Sequence, residues 1–134
     1  MKTITLTTDG ACSPNPGRGG WACLLRYGTA YREISGSSPW STNNRMELRA
    51  IIEGLKALKE RCDVTIVTDS EIAISWCRQK KRSKKFPHEM AVELAAALAG
   101  HKLTFQWVKG HAGHPDNERC DRLAREQRTS PFSA

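Results

Sequence analysis

The sequence predicts an α/β fold. A mixed five-stranded sheet, with a three-strand antiparallel meander continued by parallel strands, carries helices on both faces. Three observations predict it. Three strand-like runs follow one another with short joins within the first 35 residues. From about residue 44 the apolar period lengthens to that of a helix. Helical runs then alternate with short β-branched runs, and a helix is the usual connection between parallel strands.

Taken in order, Thr3 to Thr8 alternates β-branched and apolar residues and stops at Asp9-Gly10. Ser13 to Gly20 is rich in Pro, Asn, Ser and Gly and reads as a turn region. Trp21–Tyr27 and Tyr31–Ser35 read as strands, and Gly28-Thr29 between them suits a hairpin turn. Leu48, Ile51, Ile52, Leu55 and Leu58 recur at helical spacing, which predicts a helix from about Asn44 to Glu60. Val64–Thr68 reads as a buried strand. Ser70–Arg78 and Glu89–Leu98 read as helices separated by Phe86-Pro87, Leu103–Trp107 as the last strand, and Pro115 to about Gln127 as a final helix. One domain is therefore expected over residues 1–127, with a short loose tail over 128–134.

Composition narrows the function. The chain has 134 residues, 39% apolar and 26% charged, which excludes a disordered tail. No apolar run approaches the roughly 20 residues of a membrane span. The N-terminus enters strand sequence directly, so a cytosolic protein is expected, with no membrane partner. The five cysteines show no Cys-x-x-Cys spacing, so neither zinc nor a disulfide framework is signalled. The net charge is +7, from 21 basic against 14 acidic residues. Six of the basic residues fall within Arg78–Lys85, and without them the balance is 15 against 14. That segment, with Lys80, Lys81, Lys84 and Lys85, reads as a contact for a polyanion, or else as solvated surface.

In sheets of this kind, sites lie beyond the carboxyl ends of the parallel strands. Asp9 closes the first strand and Asp69 the fourth. Glu47 stands in the first turn of the first long helix, and Asp121 on the last helix beside Cys120. Each alone has a structural reading. Asp9 could form a turn, Glu47 could complete a capping box with Asn44, Asp69 could favour the helix after it, and Asp121 could lie at a solvated edge. Together they form an oxygen-rich cluster suited to a hard divalent cation such as Mg²⁺. Such a cation beside a basic strip suggests phosphodiester chemistry. His111 lies between glycines just after the last strand, where a histidine could move a proton. His111 and His114 could instead both ligate a metal, though His114 before Pro115 better fits a helix start.

These residues also carry a resemblance. Thr8-Asp9-Gly10-Ala11-Cys12, Asn15-Pro16-Gly17, Gly19-Gly20-Trp21, Thr42 to Leu48, Thr68-Asp69-Ser70, and Trp107 to Pro115 through Asn117 to Asp121 together resemble ribonuclease H of type 1 over residues 3–126. The resemblance implies the ribonuclease H-like fold and an endonuclease that cuts the RNA strand of an RNA/DNA hybrid, leaving 5′-phosphate and 3′-hydroxyl ends. Asp9, Glu47, Asp69 and Asp121 match the family's metal-binding carboxylates, for Mg²⁺ with Mn²⁺ as a substitute, in a two-metal-type mechanism. His111 matches its mobile histidine. Cys12, Asn15, Asn43 and Asn44 match residues contacting the hybrid, and Thr42 one that holds a DNA-strand phosphate. A monomer is expected. The chain departs from the family in a short 78–87 segment, in Glu71, and in Trp40 where many relatives have Arg.

Overall fold

A computed structural model describes residues 1–78, 83–110 and 112–129. Five strands form one sheet: β1 (Lys2–Cys12), β2 (Gly17–Tyr27), β3 (Ala30–Ser41), β4 (Cys62–Thr68) and β5 (Lys102–Trp107). Their order is β3-β2-β1-β4-β5. β1–β2 and β2–β3 pair antiparallel, β1–β4 and β4–β5 parallel, as expected for a meander joined to a parallel half. The helices are α1 (Asn43–Lys56), α2 (Glu71–Arg78), α3 (Ala91–Leu98) and α4 (Pro115–Thr129), and a 3₁₀ turn at His88–Met90 leads into α3.

Alternation along the strands builds two cores. Cys23 and Leu25 point to the face covered by α1, α2 and α3, where they meet Leu48, Ile51, Ile52, Leu55, Trp76, Phe86 and Leu94. Ala22 and Leu24 point to the other face, which α4 covers with Cys120, Leu123 and Ala124. Ile51 and Ile52 are fully buried, and each such side chain contributes about 2 kcal/mol of transfer free energy. Trp76 lies edge-on to Phe86 in the larger core, so it is a packing residue and not a stacking platform.

Several boundaries differ from those expected. β1 does not stop at Asp9-Gly10 but continues to Cys12, because Asp9 to Cys12 pair with Ala22 to Gly19 of β2. β2 begins at Gly17, so the turn region shrinks to residues 13–16, because Gly19 and Gly20 pair with both Cys12–Ala11 and Ser38–Ser37. β3 continues through Gly36-Ser37-Ser38-Pro39 to Ser41 despite their poor strand propensity. The Trp21 indole lies over Gly36, where a Cβ would stand 2.6 Å from the ring. α1 stops at Lys56, four residues early, where the Ala57 amide donates back to Glu53 and Gly54. α4 extends to Thr129, so Arg128 and Thr129 are helical and do not belong to a tail. Residues 130–134 lie outside the described residues. The hairpin turn is as expected: Tyr27 pairs with Ala30, and Gly28 takes φ +59.

Candidate active site

The parallel register creates the site. β1 pairs with β4 from Lys2↔Cys62 to Thr7↔Val67. Two residues further on, Asp9 comes level with Asp69, at the carboxyl end of β4 and just past the last β1–β4 pair, while β1 itself continues to Cys12 beside β2. Glu47 arrives from the second turn of α1. That approach requires Gly10, because a Cβ there would overlap the α1 backbone at Met46 and Glu47 and stand 2.7 Å from Met46 Cβ. The Gly10 amide donates to Asp9 Oδ1 at 2.9 Å and, in a short contact, to Glu47 Oε1. Carboxylate oxygens of Asp9, Glu47 and Asp69 lie within 4.8 Å of one another. Asp121, from α4, lies in the same cleft of about 500 Å³, with Cys12, Asn43, Asn44, Ser70 and Gly110.

The structure removes the capping readings of Glu47 and Asp69. The cap of α1 is Thr42, whose hydroxyl accepts from the Arg45 amide at 3.1 Å, so Glu47 and Asn44 form no capping box. The first turn of α2 is held by Ser70, whose Oγ accepts from Ala73 N, and not by the Asp69 carboxylate. Asp69 is steadied from its backbone: the Trp107 indole donates to its carbonyl at 3.0 Å. Gly110 passes so near that a Cβ would stand 2.8 Å from Asp69 Oδ2. Asp121 is held at 3.2 Å by Arg125 Nε, one turn along α4.

Burial makes the cluster costly without a partner cation. Asp9 is 4% exposed and Glu47 7%. Burial, with the charges of Asp69 and Asp121, pushes Asp9 up to about 7. Burial, then a hydrogen bond to Asp9 and the charges of Asp9 and Asp69, holds Glu47 well above the usual carboxylate range. The hydrogen bond between the two carboxyls places a proton between them, in keeping with both being raised. A donor set made only of carboxylate oxygens, two of its carboxylates buried, fits a hard divalent ion, Mg²⁺ or Mn²⁺ alike, and such an ion would relieve the repulsion.

The remaining expected residues divide. Asn43 Oδ1 accepts from the Cys12 amide at 2.6 Å, and Asn15 Oδ1 accepts from the Asn43 amide at 3.1 Å. Both side chains are therefore fixed by their oxygens, and their amide NH₂ groups are left to donate. Asn44 lines the cleft, while Thr42 uses its hydroxyl at the cap. Lys84 and Lys85 are exposed in a turn before Phe86 and do not line the cleft. Lys80, Lys81 and His111 lie outside the described residues. His114 Nδ1 accepts from the Asn117 amide at 3.2 Å, which makes it the helix-start residue expected. Trp40 is 69% exposed and lines a separate cleft with Trp21, Arg45 and Glu89. Arg125 and Arg128 line the carboxylate cleft and were invisible in the sequence, since only the seating of α4 against the sheet brings them there.

Sequence and structure comparisons agree with this geometry. Residues 1–129 match the sequence model of the RNase H family. The chain is 47% identical to a ribonuclease H of Campylobacter concisus, covering 95% of this chain and 93% of the relative. It is 49% identical to a ribonuclease H of Erythrobacter litoralis, covering 94% and 96%. Among solved structures it resembles LC9-RNase H1, a type 1 RNase H with the type 2 active-site motif, with TM-score 0.79, 29% identity, and coverage of 93% of this chain and 71% of that one. LC11-RNase H1, solved in complex with an RNA/DNA hybrid, shares the fold with TM-score 0.73 at 23% identity, over 92% and 94%.

Proposed function

Because the chain belongs to the ribonuclease H family, whose members are hydrolases acting on RNA/DNA hybrids, we propose that it cuts the RNA strand of such hybrids in a reaction that depends on divalent metal and leaves 5′-phosphate and 3′-hydroxyl ends. The observation that carries this reading is the convergence of Asp9, Glu47 and Asp69 oxygens within 4.8 Å, with Asp121 in the same cleft. These four residues would hold Mg²⁺, or Mn²⁺ in its place. When bound, the cations supply an activated water and charge stabilisation for the departing oxygen.

The chain's own groups supply the rest. Asp9 and Glu47 give up their shared proton to become full ligands. The Gly10 amide fixes one oxygen of each, so the pair is oriented before substrate arrives. Asn43 and Asn15 turn their NH₂ groups outward, where they can donate to a 2′-hydroxyl, the group that separates RNA from DNA. Cys12 and Asn44 line the same wall. Thr42, at the start of α1, stands where a phosphate of the DNA strand would benefit from the helix N-terminus. His111 is assigned proton transfer or product release, and Lys80, Lys81, Lys84 and Lys85 non-specific phosphate contacts. The fold of LC11-RNase H1, which binds a hybrid, supports this choice of partner. We also propose that the protein works as a monomer in the cytosol, in keeping with its five free cysteines. Among the described residues, no helix is long and apolar enough to cross a membrane.

Product analysis tests the chemistry. Fragments from a 5′-labelled RNA strand in a hybrid should become substrates for poly(A) polymerase without phosphatase treatment, since they end in 3′-hydroxyls. Ends bearing 2′,3′-cyclic or 3′-phosphate would refute it, because they form when the 5′-oxygen departs instead of the 3′-oxygen.

A further inference from the structure

The carboxylate cleft ends in two arginines that the mechanism above does not use. Asp121, Arg125 and Arg128 succeed one another on α4 at spacings of four and three residues, so one helix face presents all three to the cleft. At 1.5 Å per residue, Arg128 stands roughly 10 Å along the axis from Asp121. The two arginines differ in state. Arg125 is held by Asp121. Arg128 makes no ion pair among the described residues, and its Nε is buried without an acceptor. Its charge still reaches the cleft wall, where it opposes the burial that raises the Cys12 thiol. Its backbone is fixed as well. α4 is seated on β2 so closely that a Cβ on Gly20 would stand 2.6 Å from Arg128 N.

The residue is only half-buried, but a guanidinium nitrogen that is itself removed from water needs an acceptor, and an anion serves best. Of the cleft's carboxylates, Asp9 and Glu47 are committed to each other and to Gly10 and Asp121 to Arg125, and none of the four, Asp69 included, pairs with Arg128. The anion that completes Arg128 therefore comes from outside the chain. A guanidinium matches a phosphate through two parallel hydrogen bonds. A duplex offers one phosphate per strand for about every 3.4 Å of axis, so a site roughly 10 Å from Asp121 meets a phosphate two or three nucleotides away. We infer, resting on the hybrid-cleaving function proposed above, that Arg128 binds a non-scissile phosphate of the cleaved strand and fixes the register of that strand over the carboxylates. It is a substrate-binding residue that positions the cut, not a catalytic one.

The test compares wild type, Arg128→Gln and Arg128→Lys, with hybrid binding measured in EDTA across a salt series and cleavage measured separately. Arg128→Gln should weaken binding about tenfold, as for one charge-assisted hydrogen-bonded contact. It should also flatten the slope of log affinity against log salt by about 0.9. Arg128→Lys keeps the charge, so it should keep the slope while losing part of the affinity. In cleavage, the loss should fall more on KM than on kcat. Neutral methylphosphonates placed singly along each strand then locate the contact. One position in the RNA strand, two or three nucleotides from the cut, should cost affinity in wild type and nothing further in Arg128→Gln. An unchanged salt slope in Arg128→Gln, or a coupled position in the DNA strand, would overturn the assignment. If Arg128→Gln fails to fold, the same coupling read with Arg128→Lys decides. A wild type that binds hybrid in EDTA but never cuts it would refute the proposed function instead, and the salt slope would still judge Arg128.

Discussion

Replacing Asp9 with Asn should abolish activity and yet stabilise the metal-free protein. Asp9 is raised from its usual 3.8 to about 7 by burial among other carboxylates. A carboxyl whose folded value lies above its unfolded value contributes no penalty below about pH 4. The penalty then grows as pH rises to about 7 and stays constant above. The gap is about three pH units, worth about 4 kcal/mol at pH 8 at 1.36 kcal/mol per unit. Asn keeps the shape, can still accept from the Gly10 amide, and can donate to Glu47 in place of the shared proton. About 2 kcal/mol or more should therefore be recovered, or roughly 8 °C in Tm for a chain of this size. Thermal unfolding in EDTA at pH 8 and pH 5 is the assay. Wild type should melt higher at pH 5 than at pH 8, Asp9→Asn should melt well above wild type at pH 8, and its own difference between the two pH values should shrink. Saturating Mg²⁺ should raise wild type far more than the variant. An Asp9→Asn protein no more stable than wild type at pH 8 in EDTA would mean the carboxylates do not repel, and the site would have been misread.

Other expectations follow from the same geometry. Gly10→Ala pushes α1 off β1 at Met46 and Glu47, so it should lower Mg²⁺ affinity and cost roughly 2–3 kcal/mol in urea unfolding; a wild-type Tm would contradict the close approach. Mg²⁺ binding should release protons below about pH 7, because Asp9 and Glu47 must ionise; calorimetry in two buffers of different ionisation enthalpy reads the number, and no buffer dependence at pH 6 would count against the shared proton. Replacing Lys80, Lys81, Lys84 and Lys85 with Gln should flatten the salt dependence of hybrid binding by about two to four units if they meet phosphates, and leave it unchanged if they are solvated surface.

Part of the carboxylate cluster was legible because Asp69 directly follows a strand and Glu47 lies early in a helix, and such positions are read from period changes and turn residues, whereas Asp9 lies inside β1 and Asp121 inside α4. Asp9 before Gly10 and Asp69 after Val64–Thr68 needed only the parallel pairing to meet. The competing role of Glu47 as a cap was legible too, and it was settled only by Thr42 occupying that position. What the sequence hid depends on tertiary approach. Gly36 to Pro39 reads as loop and becomes strand because Trp21 covers it. Arg128 reads as tail and becomes part of the cleft because Gly20 admits α4. The fixing of Asn15 and Asn43 by their side-chain oxygens rests on two hydrogen bonds spanning 28 and 31 residues, which no local pattern encodes.

The central claim is that this cleft selects RNA paired with DNA and cuts it with divalent metal held by Asp9, Glu47, Asp69 and Asp121. Its most direct test is one cleavage assay on matched 5′-labelled substrates, RNA/DNA, RNA/RNA, DNA/DNA and single-stranded RNA, each with Mg²⁺, Mn²⁺ or EDTA. The account predicts fragments only from the RNA strand of the hybrid, only with metal, and none from Asp9→Asn. Equal cutting of double-stranded RNA, or cleavage that persists in EDTA, would contradict it.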